Sequence, residues 1–305
     1  MIKNHKLNRQ NWNNIPWSQV INKVQDLQNK IVKASLNNNM RLVYKLQNQL
    51  VSSLEGRALA IRRIITNSGA KTPGIDNILW NTPGTKFKAI AELGSITKNP
   101  NKYISSPLRR IMITKSNSTE LRPLGIPTMI DRALQALYHL AVDPVVETRS
   151  DLFSFGFRKH RSQHDAIAYI RSLLNKKHSA EFILNADIAK CFDKISHDYL
   201  MKATPICHKH VLKQWLKSGY IYENKLYKTE EGTPQGGIIS PLLCNVALNG
   251  LEGAIRKIIS PTKKLLGVIP KVNIIRYADD IIVTGASKEI LILVQNLIEE
   301  FLFFF

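Results

Sequence analysis

Two acidic residues, Asp279 and Asp280, stand side by side between runs of branched aliphatics, Ile274-Ile275 before them and Ile281-Ile282-Val283 after. The flanks have the composition of buried strands. Tyr277-Ala278-Asp279-Asp280 reads as the turn of a hairpin, where Asp is tolerated at the tip. A third acid, Asp187, follows the apolar run Phe182-Ile183-Leu184, which reads as a short buried strand. Antiparallel pairing of these elements would gather three carboxylates. Carboxylates so gathered raise one another's pKa unless a cation takes up the charge. Mg²⁺ prefers oxygen ligands, commonly one or two carboxylates with substrate phosphates. Two such ions about 4 Å apart make a clamp for phosphoryl transfer. For Tyr277 to Asp280 taken alone, a solvated turn with two acids is the plainer reading.

Other stretches offer cations and loops. Leu108 to Lys115 alternates as a strand would, and Glu120 to Pro127 returns with prolines that suit an edge. That hairpin would bring Lys115 near Arg122, as a clamp for phosphates or as two solvated side chains. Gly232-Thr233-Pro234-Gln235-Gly236-Gly237 leads into a helix expected to be amphipathic, with Ile239, Leu243 and Val246 on one face. Its backbone N–H groups are a candidate anion cradle. Phe155 to Ser162 is a basic loop with interleaved aromatics, a weak nucleic-acid signature. Residues 66–84 form a loop that carries Lys71 and lacks the spacing of an NTPase phosphate loop. Cys207-His208-Lys209-His210 is too crowded for a zinc site and lacks a second cysteine pair.

Helices must position these segments. Val20, Val24, Leu27 and Ile31 recur at helical spacing, and Leu42, Leu46 and Leu50 repeat the pattern after Asn37-Asn38-Asn39. Asp131 is expected to cap a helix that continues past Leu140. A further helix is expected from Asp165 to Leu174. The chain has 305 residues, enough for one large domain or two smaller ones. No run of about 18 apolar residues appears, and no membrane-spanning helix is expected. Three cysteines make a poor disulfide framework, which points to a reducing, intracellular compartment. Richness in Lys, Ile and Asn suggests an AT-rich genome, of a bacterium or an organelle. Lys plus Arg number 43 against 23 Asp plus Glu, a net charge of +20 that attracts polyanions, nucleic acid first.

In their order these segments resemble the reverse transcriptases encoded in group II introns, also called intron maturases. The resemblance covers nearly the whole chain. It rests on Lys71-Thr72-Pro73-Gly74-Ile75-Asp76, Arg122-Pro123-Leu124-Gly125-Ile126-Pro127, and Gly156-Phe157-Arg158 with Arg161-Ser162. It rests also on Asp187 with Cys191-Phe192-Asp193, on Thr233-Pro234-Gln235-Gly236-Gly237, and on Tyr277-Ala278-Asp279-Asp280. It implies an α+β right-hand polymerase, with fingers and an antiparallel palm sheet over residues 85–305. A basic helical extension over residues 1–84 would bind RNA and template. The implied activity is RNA-directed DNA synthesis with two Mg²⁺ ions, for which Mn²⁺ would substitute.

By the same resemblance, Asp187, Asp279 and Asp280 would hold the metals, helped by the Ile188 carbonyl. One ion would activate the primer 3′-hydroxyl, and the other would neutralise the triphosphate and the leaving pyrophosphate. Lys115 and Arg122 would contact the triphosphate. Phe192 would exclude a ribose 2′-hydroxyl, and Gln235 would lie along the nascent pair. Tyr277, Gly236, Arg158 and Lys71 would meet primer and template. Ala278 stands where the family varies, and Ala is usual in the intron enzymes. The implied partners are intron RNA, a DNA primer and dNTPs. The implied second role is to help the intron fold and splice before it is copied during retrohoming. A splicing maturase without polymerase activity is the alternative.

Family members continue with further palm segments, a helical thumb and often DNA-binding and endonuclease regions. Here Phe305 follows Asp280 by 25 residues. A cut after the catalytic hairpin, a natural truncation or frameshift, and a split enzyme all fit that length. On the last reading a second chain would supply the thumb, and a homodimer is a further partner that the sequence leaves open.

Overall fold

The structure is a computed structural model that describes residues 12–114 and 119–304. Four helices open it: α1 (Trp17–Leu36), α2 (Met40–Ser52), α3 (Leu54–Ile65) and α4 (Pro83–Lys98). A hairpin of β1 (Leu108–Thr114) and β2 (Leu121–Ile126) leads to α5 (Met129–Arg149) and α6 (Gln163–Leu174). Then come β3 (Phe182–Asp187), α7 (Cys191–Lys194), α8 (His197–Ala203) and α9 (Lys209–Leu216). A short hairpin of β4 (Tyr220–Tyr222) and β5 (Lys225–Tyr227) precedes α10 (Ser240–Leu248) and α11 (Leu251–Ile258). The last elements are β6 (Asn273–Tyr277), β7 (Asp280–Gly285) and α12 (Lys288–Phe303). No helix among the described residues is long and apolar enough to cross a membrane.

The chain divides into two compact units. One comprises the described residues up to Thr148 with Thr204–Ser240, and the other Arg149–Ala203 with Pro241–Phe304. The 84/85 boundary drawn on the sequence falls inside the first unit.

The first unit is built on α5, which is buried on nearly every face. Pro144 inside this helix has no N–H to give the carbonyl of Leu140, four residues back. The Gln28 amide of α1 takes that carbonyl at 2.7 Å. The Gln47 amide of α2 donates to the carbonyls of Ala141 and Pro205 at 3.1 and 2.7 Å. The Trp215 ring of α9 packs edge-on to Tyr138 of α5, 5.5 Å between centroids. Of the α1 stripe, Val20, Val24 and Ile31 are buried and Leu27 half-buried. The α2 stripe is corrected: Leu42 is 40 % exposed, and the inward residues are Val43, Leu46, Gln47, Leu50 and Val51. The buried Gln47 hides the true phase of that helix from a reading of apolar residues alone. Asp131 does not cap α5 either. Thr128 accepts the Asp131 N–H at 3.2 Å, so Thr128 is the cap and Asp131 sits three residues in. There its carboxylate is buried and receives the hydroxyls of Tyr103 and Thr128 and the Ser106 N–H. The four-stranded sheet of this unit has the order β2-β1-β4-β5, with Pro123 on its edge strand as expected.

The second unit carries an antiparallel three-stranded sheet in the order β3-β7-β6. Alternation puts Ile274, Ile281 and Val283 on one face, in a core with residues of α11 and α12. Ile275 and Ile282 lie on the other face, with Phe153, Phe155 and residues of α6. The reading of β3 as a buried strand is corrected. It is an edge strand, and Phe182 and Ile183 are 41 % and 51 % exposed. An edge strand has a neighbour on one side only, which an apolar composition does not reveal.

Candidate active site

Strand register in the second unit pairs two of the three candidate aspartates and places the third in the adjoining turn. Asp187, the last residue of β3, is the register partner of Asp280, the first residue of β7. Tyr277, the last residue of β6, pairs with Asp280 from the other side. Asp279 lies between them in a two-residue turn. The Ile188 N–H reaches the Asp279 carbonyl at 3.3 Å and carries the pairing one step past the ladder. The Ile188 carbonyl accepts the Cys191 N–H at 3.2 Å, which uses one of its two lone pairs. Burial, and then the charges of Asp279 and Asp187, push the Asp280 carboxyl above its ordinary value.

No group of three His, Cys, Asp or Glu side chains stands in metal-holding geometry among the described residues. Mg²⁺ takes one or two carboxylates, keeps several waters and fills the rest with substrate phosphates. Three hard oxygen donors that repel one another fit such a cation by their chemistry.

The turn itself is built on strain and a tight contact. Ala278 has φ +58°, a left-handed conformation that costs a non-glycine residue about 1–2 kcal/mol. Gly156 passes against it so closely that a Cβ there would lie 2.2 Å from the Ala278 nitrogen. The segment around Gly156 runs beside β6: the Phe155 N–H donates to the Arg276 carbonyl, and the Arg276 N–H to the Phe153 carbonyl. Arg276, a charged residue inside an apolar strand, is buried. Its Nη1 donates to the Ala278 carbonyl at 3.0 Å and to Asn245 Oδ1 at 3.1 Å. The Asn245 amide donates to the Gly156 carbonyl at 3.0 Å. Of Gly156, Asn245, Arg276 and Ala278, the sequence motifs included Gly156 and Ala278, neither with a part in holding the turn. The one signal for Arg276 was a charge directly after two branched aliphatics, Ile274 and Ile275.

Phe192 lies on α7, half-buried, its ring edge-on to that of Phe157 at 6.0 Å. Arg158 is buried, and its Nη1 donates to the carbonyls of Asp151 and Ser154, bracing its own loop. Behind α7, Cys191 and Cys244 hold their sulfurs 3.7 Å apart as free thiols.

The remaining sequence candidates lie in the first unit. Lys71 ends a one-turn helix, Ser68–Lys71, and is exposed. Arg132 of α5 ties down the loop around it, donating to the carbonyls of Gly69, Thr72 and Pro127. Arg122 is exposed on edge strand β2, opposite Ile113. Lys115 lies outside the described residues, so its expected nearness to Arg122 does too. The Gln235 carbonyl accepts the Gly125 N–H at 2.7 Å. Gly236, at φ +104°, sits where a Cβ would strike Leu124 and the Gly125 carbonyl at 2.8 Å.

Two expectations for this loop are corrected. The N–H groups at its helix end are not open to an anion. Gln135 Oε1 accepts those of Ile238 and Ile239 at 2.8 and 3.4 Å, and those of Gly237 and Ser240 are taken by backbone carbonyls. The helix that follows, α10, is not amphipathic, since Leu242 through Leu248 are all buried. His208 and His210 of the crowded cluster go to the Tyr138 hydroxyl and the Tyr103 carbonyl.

Comparison with known proteins agrees with this arrangement. Residues 12–93 match the N-terminal domain of reverse transcriptase. The group II intron-encoded protein LtrA of Lactococcus lactis subsp. cremoris is 34% identical over 200 residues, 64% of this chain and 32% of its own length. Protein YkfC of Escherichia coli (strain K12) is 33% identical, over 67% of this chain and 55% of its own. A putative COX1/OXI3 intron 1 protein of Saccharomyces cerevisiae is 29% identical, over 78% of this chain and 29% of its own. The chain therefore spans from under a third to about half of the length of these relatives. Residues 113–303, more than half of the chain and all three aspartates, match the family described as reverse transcriptase (RNA-dependent DNA polymerase), and the chain belongs to that family.

Proposed function

We propose that this chain is the polymerase portion of a group II intron-encoded protein, one that copies intron RNA into DNA and assists its splicing. The observation that carries the reading is the register pairing of Asp187 with Asp280, with Asp279 in the adjoining turn. It joins acids from two distant stretches at one end of a sheet. Asp187, Asp279 and Asp280 would hold Mg²⁺, or Mn²⁺ in its place, with the free lone pair of the Ile188 carbonyl nearby. When bound, two such ions supply charge neutralisation for the triphosphate and a more acidic primer 3′-hydroxyl. Phe192, its ring steadied by Phe157, would close off the space of a ribose 2′-hydroxyl. Lys115 and Arg122 would steady the triphosphate, Gln235 and Gly236 the nascent pair, and Tyr277 the primer end. Lys71, Arg158 and the basic helices over residues 1–84 would serve template and intron RNA. The enzyme would work inside a bacterial cell or an organelle, on an intron RNA, a DNA primer and dNTPs.

A maturase that binds RNA without polymerising is favoured by a different observation. The net charge of +20 and the exposed Lys30, Lys33, Arg41 and Lys45 of α1 and α2 need no carboxylates. The two readings part on primer extension with an RNA template, a DNA primer, dNTPs and Mg²⁺. Polymerase function predicts extension that Asp279→Asn lowers by at least about 100-fold, with RNA affinity unchanged. No extension by the parent, with tight and salt-sensitive RNA binding, would leave the maturase reading standing.

A further inference from the structure

We propose that Asn245 and Arg276 are positioning residues that set the direction of the Asp279 carboxylate, an inference that rests on the polymerase reading of that turn. The Ala278 carbonyl belongs to the same rigid peptide plane as the Asp279 nitrogen. Arg276 Nη1 holds that carbonyl at 3.0 Å. The orientation of the plane fixes where the Asp279 side chain leaves the turn. On the other side of Ala278, its nitrogen lies against Gly156, where no Cβ fits. Asn245 joins the two restraints, accepting from Arg276 and donating to the Gly156 carbonyl. One peptide plane of the strained Ala278 is thus held by a hydrogen bond and the other by close packing against Gly156, and Asn245 ties the two holders together. Asn245 and Arg276 are only 2 % and 3 % exposed.

Burying an amide and a guanidinium is costly unless every partner is in place. Packing alone would be served better by apolar residues. Asn245 is the one polar residue from Pro241 to Leu248, and Arg276 is the one charged residue of β6, directly after Ile274-Ile275. Each is a polar exception at the point where it reaches the turn. Satisfied networks of this kind rigidify what they hold.

The test uses the 305-residue chain as Asn245→Ala and, in parallel, Arg276→Lys, which keeps the buried charge. Three quantities are measured on each: the melting temperature, the Mn²⁺ dissociation constant by electron paramagnetic resonance, and kcat and KM for single-nucleotide extension. A positioning role predicts that Asn245→Ala weakens Mn²⁺ binding and lowers kcat, each by about 10-fold or more, with KM for the nucleotide unchanged. Arg276→Lys, still able to donate to the Ala278 carbonyl, is expected to recover part of both. A lower melting temperature with parental Mn²⁺ affinity and kcat in the folded protein would overturn the proposal. If Asn245→Ala does not fold, Arg276→Lys decides by the same criteria. If the parent extends no primer, the polymerase reading fails by itself, and the bracket stands or falls by the Mn²⁺ constants.

Discussion

The two sheets hold their chemistry in different ways. In the second unit, Asp187 and Asp280 are fixed by antiparallel register, and a slip of one residue would turn each to the opposite face. In the first unit, Lys71 and Gln235 sit on loops, and Arg122 on an edge strand. Those loops owe their shape to single buried side chains of α5, Arg132 for one and Gln135 for the other. A register-built pair tolerates no change in its ladder, and only Asp279, in the turn beside it, depends on side-chain tethers. A tethered site is only as ordered as the one hydrogen-bonding group beneath it. On the proposed function, two of the three metal-holding carboxylates would thus be carried on paired strands, and most of the groups meeting nucleotide and template on loops.

This contrast breaks first at Gly156. Gly156→Val would drive a branched side chain into the Ala278-Asp279 turn, since even a Cβ would lie 2.2 Å from the Ala278 nitrogen. We expect a stability loss of at least about 1–3 kcal/mol and no detectable extension, read by denaturant unfolding and primer extension. Gln135→Leu comes next. It leaves the Ile238 and Ile239 N–H groups without their acceptor, at a cost of about 1–3 kcal/mol. Its effect on extension should appear as a raised KM with kcat nearly kept, and a fall in kcat alone would erase the distinction between the two sheets. Arg122→Ala, at an exposed edge, should change stability by no more than about 0.5 kcal/mol while it raises KM for the nucleotide.

The smallest effect carries a sign. The Asp280 carboxyl is raised by burial and by Asp279 and Asp187, so the folded state favours its protonated form. Its contribution to stability is present below the unfolded pKa and is lost as pH rises through the raised folded value. Asp280→Asn should therefore raise the melting temperature of the metal-free protein at neutral pH, and the gain should vanish in acid. A lower melting temperature at neutral pH would mean that the carboxylates do not repel one another.

The Ala278-Asp279 turn was legible because its signals are local. Two acids, a two-residue loop and aliphatic flanks all lie within ten residues, and period-2 patterning specifies a strand pair directly. The β1–β2 hairpin and α6 were legible for similar reasons. The closing of the helix end beyond the cradle expected at Gly232 to Gly237 was not legible, because its acceptor, Gln135, lies 103 residues from Ile238. Asp131 was given the capping role because Asp and Thr are both good caps and only coordinates choose between them. The exposure of β3 and the burial of all sides of α10 depend on neighbours that no local pattern encodes. A lone polar residue in an apolar run, as Arg276 and Asn245 are, marks an exception in the sequence but not its role, which depends on a partner distant in the chain.

The most direct measurement is Mn²⁺ binding to the folded chain, compared among the parent, Asp187→Asn, Asp280→Asn and the double variant. If register makes one site of the two carboxylates, each single variant loses most of the affinity, and the double variant loses little more than the worse single. Undiminished binding in either single variant would contradict the account.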